Sequence, residues 1–506
     1  MEPYKNWSRE ELIARLQQLD PHHDRPRPPR QEPLRKPKPF DFAAYARRKI
    51  ALKFTYNGVH YGGMEIQRDP VLPTVEGVLF DALVHTKLVD RDGGLDGCGW
   101  QRCGRTDKGV SAAGQVVSLW VRTGSGVKRP ATDALEAPEA SQSAQTPTSE
   151  ESPEDGPGLE GDFGLLDDFD EPPTNASLPT NPPPKEPEED PATYIYKLNH
   201  ILPPTIRILA CSLVADDFSA RFNCRWRHYK YFFSPQGLDL AAMSDAASRL
   251  VGDHDFRNLC KIDPCKQITV FNRRILHASI DPVDPARPTG MHVFNLRGNA
   301  FLYNMVRHIM AVLFLVGTGL EKPSVMSALL NPDPTRPLPP FRPGEPAPPV
   351  VTSKPEFIIA DPLPLVLWDC GYDDGALDWR VERPKPSPGE PLKTPVPGMR
   401  CAYERALIGA TLEEHFLKAA EAYYERPRPY FPIGAPGVEP LGPGGMMALP
   451  LGGGMAKRAA TYTPLLQRKR MLTAEQINER YRLGRGAQKL SRKVTTDAVA
   501  DDDTDE

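Results

Sequence analysis

Residues 99–122 read GWQRCGRTDKGVSAAGQVVSLWVR. The end of this stretch alternates, with Val117, Leu119 and Val121 set against Ser118 and Trp120, the period of two that marks a strand. Before it lies Gly104-Arg105-Thr106-Asp107-Lys108-Gly109, a turn bracketed by glycines that tolerate unusual backbone angles. One carboxylate, Asp107, is thus presented on a tight turn beside a strand, between two cations, Arg105 and Lys108. Nearby cations favour the ionised carboxylate, and a positioned, ionised aspartate can act as a covalent nucleophile. Residue types alone leave a plainer reading open, a charged surface turn of ordinary composition.

Working outward, the pattern builds a folded block around this turn. Ile50, Leu52, Phe54 and Tyr56 alternate with Ala51, Lys53 and Thr55, and Asn57-Gly58 ends that strand. Thr74 caps a helix whose apolar residues Val75, Val78, Leu79, Ala82 and Leu83 fall at helical spacing. Strand, helix, turn and strand make half of an open α+β sandwich. A second block has strands over 207–214, 227–233, 268–280 and 291–297, a helix over 240–251 and a long helix over 300–319. The last contains FLYNMVRHIMAVLFLVG, apolar almost all round and therefore buried. Arg307 interrupts it, so it is no membrane span. Asn304, Arg307 and His308 sit at i, i+3 and i+4, on one face. A buried arginine needs an anion, which spacing alone assigns equally to a site carboxylate or a core one.

Punctuation sets the boundaries. The 506 residues include 57 Pro and 39 Gly, and these cluster. Residues 1–47 form a basic, proline-rich N-terminus with a short helix over 8–19. Residues 48–123 are the first block and 124–192 a disordered acidic insertion. Residues 193–375 are the second block, with a proline-rich loop at 331–355 and a strand pair over 357–369. Residues 376–506 hold a Pro/Gly-rich linker, a helix around Leu412 and Phe416, a low-complexity run over 434–454, and a basic helical tail. That glycine run is no phosphate loop, since it lacks the GK[ST] ending and a preceding strand.

The net charge of −4 conceals a division. Residues 131–192 carry 17 acids and one base, and six acids with no base follow Lys493, leaving +18 on the remainder. A basic body with separable acidic segments suits a phosphate-backbone partner. The eight cysteines are scattered. The charged start MEPYKNWSREE is no secretory signal, so the thiols are expected to be reduced, in a cytosolic or nuclear protein. The pairs Cys98/Cys103 and Cys260/Cys265 are spaced too loosely for a zinc knuckle and lack a Cys/His quartet, so no metal site is expected.

GRTDKGVSA resembles the active-site motif of the TruA-like tRNA pseudouridine synthases. FSARFNCRWRHYKYFF is similar to that family's second signature, an ARF segment followed by an R-x-Y-x-Y strand. GNAFLYNMVRHIMAVLFLVGTG is similar to its third. The likeness covers residues 48–319 plus the strands up to 369. Of the branches within the family, it points to the eukaryotic one that modifies positions 38 and 39 of the tRNA anticodon arm, on the strength of CGRTDKGVSA, HDFRNLCKID and YTPLLQRKR. The sister branch with other tRNA and snRNA targets is the alternative. One departure is His60-Tyr61-Gly62-Gly63-Met64, where relatives often carry an aromatic after the glycine.

The resemblance implies an α+β fold of two ferredoxin-like (RRM-like) halves joined into one antiparallel sheet, with tRNA in a central basic cleft. It implies Asp107 as the catalytic residue, Arg307 as its paired arginine, and Tyr229 as the active-site tyrosine stacking on the flipped uracil. Alternation alone also allows Tyr229 to be a core aromatic. Arg105 and Lys108 are expected to touch RNA phosphates or to hold the loop open. The reaction needs no cofactor and none is expected. Members of the family are often homodimers, so a homodimer is an expectation, and the reduced thiols fit a location in nucleus and cytoplasm. From other classes, a non-catalytic tRNA-binding chaperone and a scaffold working through the acidic insertion are the rivals.

Overall fold

β1 (Tyr45–Tyr56) forms where the expected alternation begins, with Ile50, Leu52 and Phe54 fully buried. It ends at Asn57, whose side chain accepts from the Val59 backbone N–H and starts a single helical turn. This computed structural model describes residues 40–67, 71–126, 192–381, 394–425, 428–442 and 444–486, together with Ser8, Glu10, Glu11 and Arg15. Residues 127–191, nearly all of the expected acidic insertion, lie outside the described residues, as do most of the N-terminal segment and the last twenty residues. Within residues 1–43, Ser8 and Glu11 bond reciprocally: Ser8 N donates to Glu11 Oε2 (2.7 Å) and Glu11 N to Ser8 Oγ (3.3 Å). Most of the helix expected over 8–19 lies outside the described residues.

The first block continues with α1 (Val75–His85), capped by Thr74 as expected. Then come the short β2 (Gln101–Arg102) and the long β3 (Ser111–Gly126). β1 pairs antiparallel with β3 (Ile50 opposite Leu119) and, on its other side, with β4 (Ile206–Leu213), Leu52 lying opposite Cys211. α2 (Ala192–Ile201) packs on β4 and buries Tyr194 and Leu198 in the same core as Leu79 and Leu83 of α1.

The second block comprises β5 (Trp226–Phe233), α3 (Leu240–Ser248), β6 (Gly252–Asp255), β7 (Asn272–Pro282), β8 (His292–Gly298), α4 (Met305–Gly317), α5 (Ser324–Leu329) and β9 (Leu365–Gly371). The sheet runs β4-β1-β3-β9-β5-β8-β7-β6, with β2 beside β3. β9 joins the blocks. It is antiparallel to β5 (Lys230 opposite Val366) but parallel to β3 (Ser111 opposite Val366, Ala112 opposite Leu367). The expected single antiparallel sheet is therefore a mixed one. Parallel neighbours require a long crossover, and here the whole second block lies between the two strands.

Three further expectations shift. α4 starts at Met305, not at 300, because Asn304 adopts a left-handed backbone (φ +57°). Every residue of α4 except Arg307 is buried. Of the strand pair over 357–369 only β9 forms: Pro362 and Pro364 have no N–H to give a ladder. The 434–454 run, read as low complexity, contains a strand of the hairpin β10 (Met447–Gly452) and β11 (Met455–Ala459). The basic tail does form a helix, α6 (Ala474–Tyr481), capped by a Thr473/Gln476 box. A 26-residue helix, Val396–Glu421, has no buried residue. No helix among the described residues is long and apolar enough to cross a membrane.

Candidate active site

The Asp107 turn is clamped from below and from both sides. Gln115, fully buried on β3, donates Nε2–H to Gly104 O (2.8 Å) and accepts at Oε1 from Gly104 N (3.3 Å). The hydroxyls of Tyr56 and Thr106 bond at 2.6 Å in the core. Met64 N donates to Thr106 O (3.1 Å), which lays the Gly62-Gly63-Met64 loop against the turn. Gly63 has φ +124°, and a Cβ there would meet Thr106 O at 3.1 Å and the Asp107 carbonyl carbon at 3.5 Å. So the loop that departs from the family pattern is the floor of the Asp107 turn. Gly109 closes the turn at φ +83°, whereas Gly104 keeps an ordinary backbone.

Across from Asp107 stands Arg307. Its Nε donates to Ala360 O (2.8 Å) and its Nη1 to Asn304 Oδ1 (3.3 Å), leaving Nη1 3.8 Å from Asp107 Oδ2. Both side chains are mostly enclosed, with 15% of Arg307 and 26% of Asp107 exposed. Ala360 N donates in return to Arg307 O (3.1 Å), so the segment leading into β9 holds both the backbone and the guanidinium of Arg307. Two hundred residues of sequence separate this cation from its carboxylate.

Burial pushes the Asp107 carboxyl above its usual range, and Arg307, Lys261 and Lys266 pull it back. This corrects the reading of the turn in isolation. Arg105 points away, to Glu65 Oε1 at 2.8 Å, and burial lowers its guanidinium against that carboxylate's pull. Lys108 is exposed. Side chains radiate from a tight turn, so sequence neighbours need not share a site. The cations that act on Asp107 come instead from the second block. Lys261 lies in HDFRNLCKID, and its Nζ sits 5.1 Å over the Tyr303 ring, with that of Lys266 at 5.9 Å. Spacing in the sequence does not single out Lys261, Lys266 or Glu65; Lys261, one of two basic residues inside HDFRNLCKID, carries the available signal.

Tyr229 lies on β5 with 8% of its surface exposed and its ring edge-on to Phe301 (4.8 Å between centroids). Burial raises its phenol well above the ordinary value, so it keeps its proton. A Cβ on Gly104 would lie 3.9 Å from Tyr229 Oη, which puts the phenol at the start of the Asp107 turn. Behind Arg307, buried His308 accepts at Nε2 from Lys354 Nζ (3.2 Å) and bonds through Nδ1 to Asn304 O (2.9 Å). Burial, with Lys354 next, pushes the His308 imidazole down to about 3, so it is neutral. Lys354 also donates to Cys260 O (2.6 Å).

The site thus sets an enclosed aspartate against an arginine, with a protonated tyrosine at the turn and lysines around it. Residues 246–373 match the family model described as tRNA pseudouridine synthase. The chain is 34% identical over 397 residues to the tRNA pseudouridine(38/39) synthase of Saccharomyces cerevisiae, covering 74% of this chain and 73% of that protein. Against the human tRNA pseudouridine(38/39) synthase it is 36% identical over 342 residues, which is 66% of this chain but only 58% of that protein. The tRNA pseudouridine synthase A of Methanothrix thermoacetophila is 29% identical over 339 residues, covering 66% and 86%. The chain belongs to the TruA-type tRNA pseudouridine synthase family. Within it, the chain is most like the eukaryotic 38/39 enzymes among these relatives.

Proposed function

We propose that this protein isomerises uridine to pseudouridine in tRNA, at positions 38 and 39 of the anticodon arm, with Asp107 as nucleophile. The observation that carries the reading is the meeting of Asp107 and Arg307 at 3.8 Å across the two blocks. The named relatives support the substrate class and the positions.

The reaction breaks the N1–C1′ glycosidic bond and joins C5 to C1′. The proton lost from C5 and the one gained at N1 balance, so no redox partner or group donor is consumed. The target nucleotide must leave the stack. Lys261, Lys266 and Arg307 supply the positive charge that draws the phosphate backbone to the site. Arg307 orients Asp107 and favours its ionised form against burial. Asp107 then attacks the sugar or the base, or assists departure of uracil; the geometry is compatible with each route. Tyr229, held protonated, packs beneath the extruded base and is a proton donor rather than a phenolate base. Arg105 and Lys108 contact RNA at the rim. The two blocks joined by β9 are read as the two ferredoxin-like halves, with tRNA in the cleft between them.

The test is pseudouridine mapping on an unmodified tRNA transcript with uridine at 38 and 39, using wild type and Asp107→Ala. Conversion at those positions by wild type alone is expected. Conversion elsewhere reassigns the chain to the sister branch. Tight binding without conversion overturns the catalytic reading in favour of a tRNA chaperone.

A further inference from the structure

Sequence spacing gives no reason to group Cys103, Cys224 and Cys370, yet the fold brings them together. Cys103 directly precedes the Asp107 turn, Cys224 lies in the loop entering β5, and Cys370 is near the end of β9. All three are buried, and their sulfurs lie within 4.8 Å of one another. Cys103 and Cys224 are 3.3 Å apart. Zinc bound tetrahedrally by thiolates at about 2.3 Å spaces its sulfurs by roughly 3.8 Å. The Cys103–Cys224 separation of 3.3 Å is close to that value, and the 4.8 Å limit on all three leaves room for it.

A second observation concerns Arg227. Its guanidinium is half-buried, and its hydrogen bonds go to backbone carbonyls: Cys224 O at 3.1 Å, Asn299 O at 2.6 Å, Cys103 O at 3.1 Å and Arg221 O at 2.8 Å. Among the described residues no carboxylate pairs with it. A cation withdrawn from water without an anion is costly. Two of those carbonyls belong to Cys103 and Cys224 themselves, so the guanidinium lies directly against the trio. Three thiolates around one zinc(II) ion carry a single net negative charge, which Arg227 cancels.

We propose that Cys103, Cys224 and Cys370 bind one zinc(II) ion, a structural clip that ties the first block, the entry to β5 and β9 together behind the catalytic turn. Three protein thiolates leave one position of the tetrahedron for water. Binding releases the thiol protons. A copper(I) ion would leave one negative charge uncancelled, so the charge balance selects the divalent ion.

The experiment is element analysis of the full chain, purified under reducing conditions without chelator or a metal-binding tag. The expected content is about one zinc per chain. It falls below a tenth of that in Cys224→Ser and Cys370→Ser, and is unchanged in Cys265→Ser, an exposed thiol outside the trio. Because a clip variant can misfold, the metal-free wild type is also titrated with cobalt(II). A thiolate-to-cobalt charge-transfer band saturating at one equivalent, displaced by zinc, is expected. Metal-free protein that gives no such band overturns the proposal. Stoichiometric copper in place of zinc overturns the choice of ion.

Discussion

The two sides of the site are held in different ways. The Asp107 turn is fixed by Gln115, Tyr56 and Met64, all within about fifty residues of it and all in the first block. The Arg307 side is held by segments from far along the chain. Ala360 accepts from Arg307, and Asp361 N donates to Leu451 O (2.7 Å) in the C-terminal hairpin. Tyr231 Oη donates to Asp361 O (3.0 Å) and Leu451 O (3.2 Å). Lys354, which braces His308, is fixed by Met471 N donating to its carbonyl (2.8 Å). Glu321 Oε1 anchors the tail by accepting from Tyr462 Oη and Leu465 N, each at 2.6 Å. Asp107 sits in a local module, while Arg307 is held through contacts from the last third of the chain.

The largest effect should come from the local side. Asp107→Asn keeps the shape of the turn and removes the nucleophile, so pseudouridine formation should fall by on the order of 10³-fold or more, with tRNA affinity nearly unchanged. Single-turnover conversion and a filter-binding Kd separate the two. A variant that loses binding and conversion together would make Asp107 a binding residue.

Arg307→Gln tests the assembled side. Removing the cation should cost roughly 10²–10³-fold in turnover and also change the pH profile. Asp107 must be ionised, and its carboxyl is already raised by burial, so kcat/KM falls on the acid side from a pH above the ordinary aspartate value. Without Arg307, which pulls the carboxyl down, that limb moves to higher pH still. Arg307→Lys keeps the charge but loses the fork to Ala360 and Asn304. It should restore most of the pH limb and only part of the rate. An unmoved limb in Arg307→Gln would show that the pair at 3.8 Å is not coupled.

Gly63→Ala returns to the local side and should have a smaller effect. A side chain at φ +124° is strained, and its Cβ would press on Thr106 O. Moving the turn by a fraction of an ångström should lower turnover by up to about 10²-fold with little change in KM. A fall in thermal stability with unchanged turnover would detach this loop from catalysis.

The difference between the sides matches what is legible in the sequence. β1, α1 and β3 follow from local alternation and a threonine cap, because each buries one face against neighbours close in sequence. The proline-broken entry to β9 and the β10–β11 hairpin carry glycine, proline and short apolar runs with no clear period. Their positions come from partners one to two hundred residues away. Composition alone made the hairpin low complexity. The same limit applies to charge. Arg105 and Lys108 flank Asp107 in sequence, yet the cations that matter to it are Arg307, Lys261 and Lys266, which only tertiary structure delivers. The resemblance named Arg307; helical spacing alone left its anion undecided.

The smallest effect concerns His308, which lies between Arg307 and the docked tail. Its imidazole is buried, bonds to Asn304 O, and faces Lys354, Arg307 and Lys261, so its folded pKa is pushed down to about 3. The unfolded value is about 6.5. A histidine depressed on folding contributes stability that is present above the unfolded pKa and lost as pH falls toward the folded one. Between pH 7 and pH 5 the loss should be about 2 kcal/mol, since the folded imidazole is still neutral at pH 5. His308→Gln should remove that pH-dependent part, so urea midpoints of variant and wild type draw together as pH falls. If the Asp107 module unfolds separately from the Arg307 side, the effect should appear only in probes on α4 and the tail, such as amide exchange at Ile309 and Leu465, and not at Val117. Equal pH dependence at all three would mean that the two sides melt as one unit, and that the division between a local and an assembled side concerns positioning rather than folding.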